Sequence, residues 1–194
     1  MTGEPTNLRA LVRSAASGDS SAWDEIVERF SSLVWATARA HRLSRDDAAD
    51  VAQTTWLRLV EHLDRIREPD RLGAWLATTA RHESLRVIRR GARETPSDEA
   101  DLFEAPADDA LDRMLVDPER DSALWRAFAK LSERCKSLIR LLMADTEPSY
   151  EEIGAALGMP IGAIGPTRGR CLDKLRDAFE GRNLPPAPSG GQVT

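Results

Sequence analysis

The chain lacks any apolar run near the roughly 20 residues that a membrane-spanning helix requires, so no membrane insertion is expected. From Met1 to Asp19 there is no uninterrupted apolar core of the kind a secretory signal carries. Aromatic residues make up only 5% of the sequence, too few for a large β-sandwich, and β-branched runs are rare. The two cysteines, Cys135 and Cys171, form neither a CxxC pair nor a metal-binding spacing. They are expected to behave as buried hydrophobes in a cytosolic protein with reduced thiols. The three histidines, His41, His62 and His82, show no nucleophile–base pattern, and His82-Glu83 lacks the second histidine of HExxH. A phosphate-cradling glycine loop is missing too. Hence no catalytic residue, metal or cofactor is expected, and the chain reads as a non-enzyme.

What is present points to helices. Over 194 residues the hydrophobic share is 41%, with abundant alanine, leucine and arginine, which favours an all-α chain of one or two domains. Trp23, Ile26, Val27, Phe30, Val34 and Ala38 form one helical stripe ending near His41. Ala49, Ala52, Trp56, Leu59, Val60 and Leu63 suggest a second, capped by Ser44. Pro69 marks a break, and a third long helix is predicted over about Leu72 to Arg90. With a short leading helix around Leu8 to Ala15, these make a first helical bundle.

Glu94 to Asp121 holds eleven acids against Arg113 and Arg120, and Pro96, Pro106 and Pro118 interrupt it, so it reads as a linker. Cys135, Leu138, Ile139, Leu142 and Met143 then suggest one apolar face of a second domain. Ser149 and Glu152 form a capping box opening a short helix that Gly158 ends, and a last helix follows. The predicted boundaries are residues 6–93 for the first domain, 94–121 for the acidic linker, 122–180 for the second domain and 181–194 for a disordered tail.

Charge is distributed unevenly. Although the net formal charge is −5, Arg81, Arg86, Arg89, Arg90 and Arg93 cluster at the end of the third helix with only Glu83 among them. A nucleic-acid binder needs its cations where the phosphates lie, so this local excess outweighs the overall sign. The segment from Ser149 to Arg176, a short capped helix, a glycine turn and a helix with exposed cations, is a helix-turn-helix pattern. Thr167, Arg170 and Lys174 are expected on one face, opposite Leu172, Leu175 and Phe179. Asp46, Asp50 and Gln53 form a polar stripe; first-turn acids such as Asp46 and Asp47 commonly serve the helix dipole, whereas Asp50 and Gln53 lie deeper, where spacing alone favours a solvated face over a partner's cationic surface.

The motifs GD-x3-W near Gly18, D-A-x-D-x2-Q-x2-W from Asp47 to Trp56 and W-L-x3-A-R from Trp75 to Arg81 resemble region two of bacterial sigma factors. Residues 122–180 resemble their region four, and the short length points to the extracytoplasmic-function (ECF) class. The resemblance implies two small helical domains on a flexible acidic linker, with core RNA polymerase and promoter DNA as partners and an anti-sigma factor as a further candidate. It implies that Asp50 and Gln53 dock on the polymerase clamp and that Leu63 to Leu72 captures an extruded base. Trp75, Arg81, Arg86, Arg89 and Arg90 would face the minus-10 strands. Thr167, Arg168, Arg170 and Lys174 would contact the minus-35 element. The linker would thread toward the RNA path, its acids serving either as a mimic of the transcript or only to keep a passive tether soluble. A cytoplasmic location follows, nucleoid-associated when in holoenzyme.

The chain departs from the family pattern at Ala49, at His82 and above all at Gly165-Pro166, which stand where polar or basic residues are usual. Pro166 cannot donate to the carbonyl of Gly162, so the last helix is expected to kink there or to begin with Pro166. The competing readings are a helix-turn-helix repressor or activator, which leaves the Asp46–Arg93 pattern unused, and a helical polymerase-binding adaptor.

Overall fold

Side-chain caps define where four of the helices start. In a computed structural model describing residues 7–94, 118–144 and 147–181, Asn7 caps α1 (Leu8–Ala16) and Asp19 caps α2 (Ser20–Ala40). The Ser44 hydroxyl accepts from the amide of Asp47 and opens α3 (Arg45–His62), as the sequence indicates. Two short 3-10 turns, Leu63–Arg65 and Pro69–Arg71, lead into α4 (Leu72–Glu94). The second half contains α5 (Pro118–Ala129), α6 (Glu133–Leu142), α7 (Tyr150–Leu157) and α8 (Ile161–Phe179). Pro118 therefore starts a helix where a linker proline was expected. The rest of the acidic stretch, residues 95–117, and the tail from 182 onward lie outside the described residues.

Within the first domain α4 packs on α2 and α3. Leu59, Leu72 and Leu76 are fully buried, each contributing on the order of 1.5–3 kcal/mol through burial alone. The α3 stripe corrects the sequence expectation. Its inner face is Ala48, Val51, Thr55 and Leu59, whereas Val60 is 59% exposed and Ala49 is also outside. Thr55 can join the core because its hydroxyl donates to the carbonyl of Val51 at 2.8 Å. Thr37 and Ser84 are buried by the same device, donating to Leu33 and Ala80.

The two domains dock on each other. Helix α7 lies along α4, and α6 packs on α2, so buried residues of both halves form one continuous cluster. This explains a second correction. Met143 is 57% exposed and Leu142 half-buried, whereas Ser137 and Leu141 are buried, because α6 has two faces to cover. One face turns to α8 and the other to α2. A third difference concerns the cysteines, which are joined as a disulfide between α6 and α8 rather than being free thiols.

Candidate nucleic-acid interface

Helix α4 presents its cations on two sides. Trp75, Arg86, Arg89 and Arg90 share a stripe, since spacings of 11, 14 and 15 residues return to one face at about 100° per residue. Arg86, Arg89 and Arg90 are exposed on it, and Trp75 is half-buried with its ring centroid 6.2 Å from that of His62. Arg86 donates to the Glu83 carboxylate at 3.1 Å, and Glu83 also lies 3.8 Å from Arg58 of α3. Arg58 also lies 3.8 Å from Glu61, so these two acids offset Arg58 and Arg86, and the positive surface rests on the exposed Arg89 and Arg90.

Arg81 sits on a different side of α4, toward the second domain. Its guanidinium lies against Gly158, the left-handed residue (φ 63°) that ends α7. A side chain at Gly158 would be strained by that φ and would meet the Arg81 guanidinium. Between the domains is a cleft of about 940 Å³ whose walls include Trp75, Thr78 and Arg81 on one side and Gly154, Gly158 and Ile161 on the other. Arg65, Arg67 and Arg71 stand at its edge. The part of α4 nearest this cleft therefore faces the helix-turn-helix unit.

Two polar contacts, one buried and one half-buried, fix this docking. The Ser137 hydroxyl donates to the Ala40 carbonyl at 2.6 Å, and His41 Nε2 donates to the Ala156 carbonyl at 3.1 Å. Burial pushes the His41 pKa below its ordinary 6.5, and the nearby charge of Arg81 acts in the same direction. Arg71–Glu151 and Arg42–Glu133 are ion pairs at the exposed rim and add little.

The helix-turn-helix unit is built as the sequence suggests at its first helix. Ser149 accepts from the Glu152 amide, and the Glu152 carboxylate accepts from the Ser149 amide at 2.7 Å. Its second helix differs. Helix α8 starts at Ile161, so Pro166 lies inside it rather than at its beginning. The inner stripe is Ile164, Thr167, Cys171 and Leu175, three of them buried and Leu175 half-buried. Thr167 is therefore turned inward and its hydroxyl accepts from Arg170 at 3.3 Å, correcting the outward face expected for it. Leu172 and Phe179, expected inside, are 39% and 40% exposed. Arg170 and Lys174 are exposed on one side, and Arg168 is exposed about 160° around the helix from Arg170.

Helix α3 carries an outward stripe that periodicity alone missed. Asp50, Gln53, Leu57 and Val60 recur at i, i+3, i+7 and i+10, with Asp50 and Gln53 exposed and Leu57 and Val60 58% and 59% exposed. Two adjacent aliphatic residues, Leu59 and Val60, cannot both face a narrow core, and that was the available clue. Among the described residues no cluster of His, Cys, Asp or Glu could hold a metal ion, and no helix is long and apolar enough to cross a membrane.

Known proteins match this arrangement. Residues 26–94 match the family model for sigma-70 region 2. The chain is 29% identical over 180 residues to the ECF RNA polymerase sigma factor SigE of Mycolicibacterium smegmatis, covering 90% of this chain and 68% of that one. It is 25% identical over 186 residues to the ECF RNA polymerase sigma-E factor of Escherichia coli K12, covering 91% and 94%. In fold it resembles CnrH, solved in complex with the cytosolic domain of CnrY, with a TM-score of 0.57, 24% identity and coverage of 89% and 97%. A second likeness is to the sigma factor RpoE of Bartonella quintana, solved with the anti-sigma factor NepR, with a TM-score of 0.50, 23% identity and coverage of 81% and 97%.

Proposed function

We propose a division of labour between the two domains of this chain, which belongs to the ECF class of bacterial RNA polymerase sigma factors. As a sigma factor it binds core RNA polymerase, directs it to promoters and helps melt the minus-10 element. The α3 stripe of Asp50, Gln53, Leu57 and Val60 is the polymerase-docking surface. The carrying observation is that two large hydrophobes stand more than half exposed beside exposed polar groups, an arrangement suited to a protein partner. Trp75, Arg86, Arg89 and Arg90 contact the minus-10 strands, Trp75 by stacking and the arginines by phosphate contact. Arg81 joins them once the second domain moves off α4. Arg168, Arg170 and Lys174 serve the minus-35 element.

The docked arrangement is a resting form of the molecule. Elements named for positions 10 and 35 lie about 25 base pairs apart, or roughly 85 Å at 3.4 Å per pair. A compact chain of this size has a radius of gyration of about 16 Å, so the domains must separate to reach both. The protein has no enzymatic activity of its own and works in the cytoplasm, on the nucleoid when in holoenzyme. An anti-sigma factor is the partner that holds it inactive.

The test is reconstitution: purified chain is added to core polymerase and transcript starts are mapped genome-wide. New starts sharing minus-10 and minus-35 elements, reduced by Leu57→Ala with Val60→Ala, are expected. Tight sequence-specific duplex binding by the chain alone, with no new starts, would establish a repressor instead.

A further inference from the structure

We propose that Cys135 and Cys171 form a reversible thiol–disulfide site that sets how firmly the minus-35 reading helix is held; this rests on the sigma-factor reading above. The bridge joins the first turn of α6 to the middle of α8 across a sequence separation of 36 residues. Cys171 follows Arg170 directly and belongs to the inner stripe of Ile164, Thr167 and Leu175, so any slack in α8 moves Arg170 and Lys174. The disulfide thus ties the reading helix to α6 within the second domain, whether or not the two domains are docked. Its Cα–Cα distance of 5.4 Å falls in the ordinary range, so the two residues are placed for bridging.

Location argues that the bond is switched rather than permanent. A polymerase subunit works where thiols are kept reduced, and disulfides found there are mostly transient or sensing. The chain contains two cysteines, both in this bridge, so oxidation has one intramolecular outcome and no third thiol to scramble it. Cys135 is 6% exposed and Cys171 1%, which makes Cys135 the first to react when the helices open locally. Its thiolate attacks one sulfur of a low-molecular-weight disulfide, forming a mixed disulfide and expelling one thiolate. The Cys171 thiolate then attacks Cys135 sulfur and expels the second. Two electrons and two protons leave the protein, and one small disulfide becomes two small thiols. The oxidised form holds α8 and is the minus-35-competent one.

The experiment equilibrates the full-length protein in glutathione buffers of graded ratio, then counts free thiols and measures transcription with core polymerase from a promoter found by start mapping. Thiols should rise from zero to two with no intermolecular dimer, and transcription should fall by about fivefold or more, the effect of removing one base-specific hydrogen-bonded pair. Restoring oxidant should restore transcription, with both curves sharing a midpoint. The Cys135→Ala, Cys171→Ala double variant should behave as the reduced protein and ignore the buffer; Cys135→Ser, Cys171→Ser provides a second version, and circular dichroism reports its fold. Transcription that stays flat while thiols go from zero to two would overturn the switch, as would a bond that never opens across the glutathione range. Absence of transcription in every buffer would instead bring down the sigma-factor reading and this proposal with it.

Discussion

The hydroxyl of Ser137 donates to the carbonyl of Ala40 at 2.6 Å, across 97 residues of sequence, with both partners buried. Ala40 is the last residue of α2, where carbonyls have no partner within the helix, so α6 supplies one from the other domain. His41, the next residue, repeats the arrangement in the opposite sense by donating to Ala156 of α7. The docked form is therefore specified by directional bonds at a helix end as well as by apolar contact.

Ser137→Ala should weaken this docking selectively. It leaves a buried carbonyl without its donor, a cost of about 1–3 kcal/mol. Distance measurements between probes on the exposed faces of α3 and α8 should show a larger separated population in the free protein. No change in that distribution would remove Ser137 from any role in closure.

Acid should loosen the same contact. The His41 pKa is lowered in the docked form, first by burial and then by Arg81, so the docked state favours the neutral ring. Once His41 is exposed its pKa returns toward 6.5, and the separated form then takes up a proton more readily than the docked one. Docking stability is complete above about pH 6.5 and is lost as pH falls below it through the lowered value. The charged groups around this contact are Arg81 on α4, Arg42 next in the chain and Glu133 on α6. Probe distances titrated from about pH 7.5 to about pH 5.5 should lengthen in the parent protein and remain flatter in His41→Gln.

Replacing Arg86, Arg89 and Arg90 together with alanine should lower promoter opening by the holoenzyme and flatten its salt dependence. Each arginine withdrawn from a single-strand phosphate reduces the log–log slope by about 0.7. Arg86 shares the Glu83 carboxylate with Arg58, so it should contribute least of the three. All three side chains are exposed, and circular dichroism should report an unchanged fold. An unaltered salt slope would dismiss this face of α4 as a phosphate surface.

Local signals carried well from sequence to structure, and pairwise ones did not. Ser44, Ser149, Glu152 and Gly158 act within a few residues of themselves, so their caps and turns were legible directly. The α3 core stripe was misplaced because Thr55 reads as polar until its bond to the Val51 carbonyl is known. Ser137 and Leu141 could not be placed, since their burial depends on α2, about a hundred residues earlier. The same holds for the cysteine bridge: neither position carries a spacing motif, and only the packing of α6 on α8 brings them together. Thr167 faces inward because α8 begins at Ile161 and so includes Ile164, whose burial puts Thr167, three residues on, and Cys171 on the same packed face.

Arg170 and Lys174 should now separate base reading from phosphate binding. They share one side of α8, four residues apart, with Arg170 near the middle of the helix and Lys174 one turn further on. Its guanidinium is held by the Thr167 hydroxyl at 3.3 Å, which limits its freedom before any DNA arrives. A bidentate contact from such a side chain to a guanine discriminates by about 1–3 kcal/mol. Arg170→Ala should therefore relax preference at one minus-35 position while other positions keep theirs. Thr167→Val should reproduce part of that loss by freeing the guanidinium, without removing a charge. Lys174→Ala should weaken every minus-35 sequence alike and reduce the salt slope by about one. Arg168, on the other side of the helix, should behave as a phosphate contact. Transcription from a promoter library randomised across the minus-35 element reads all four variants at once. A uniform loss for Arg170→Ala would make it a phosphate contact and leave base reading to the backbone and to Lys174.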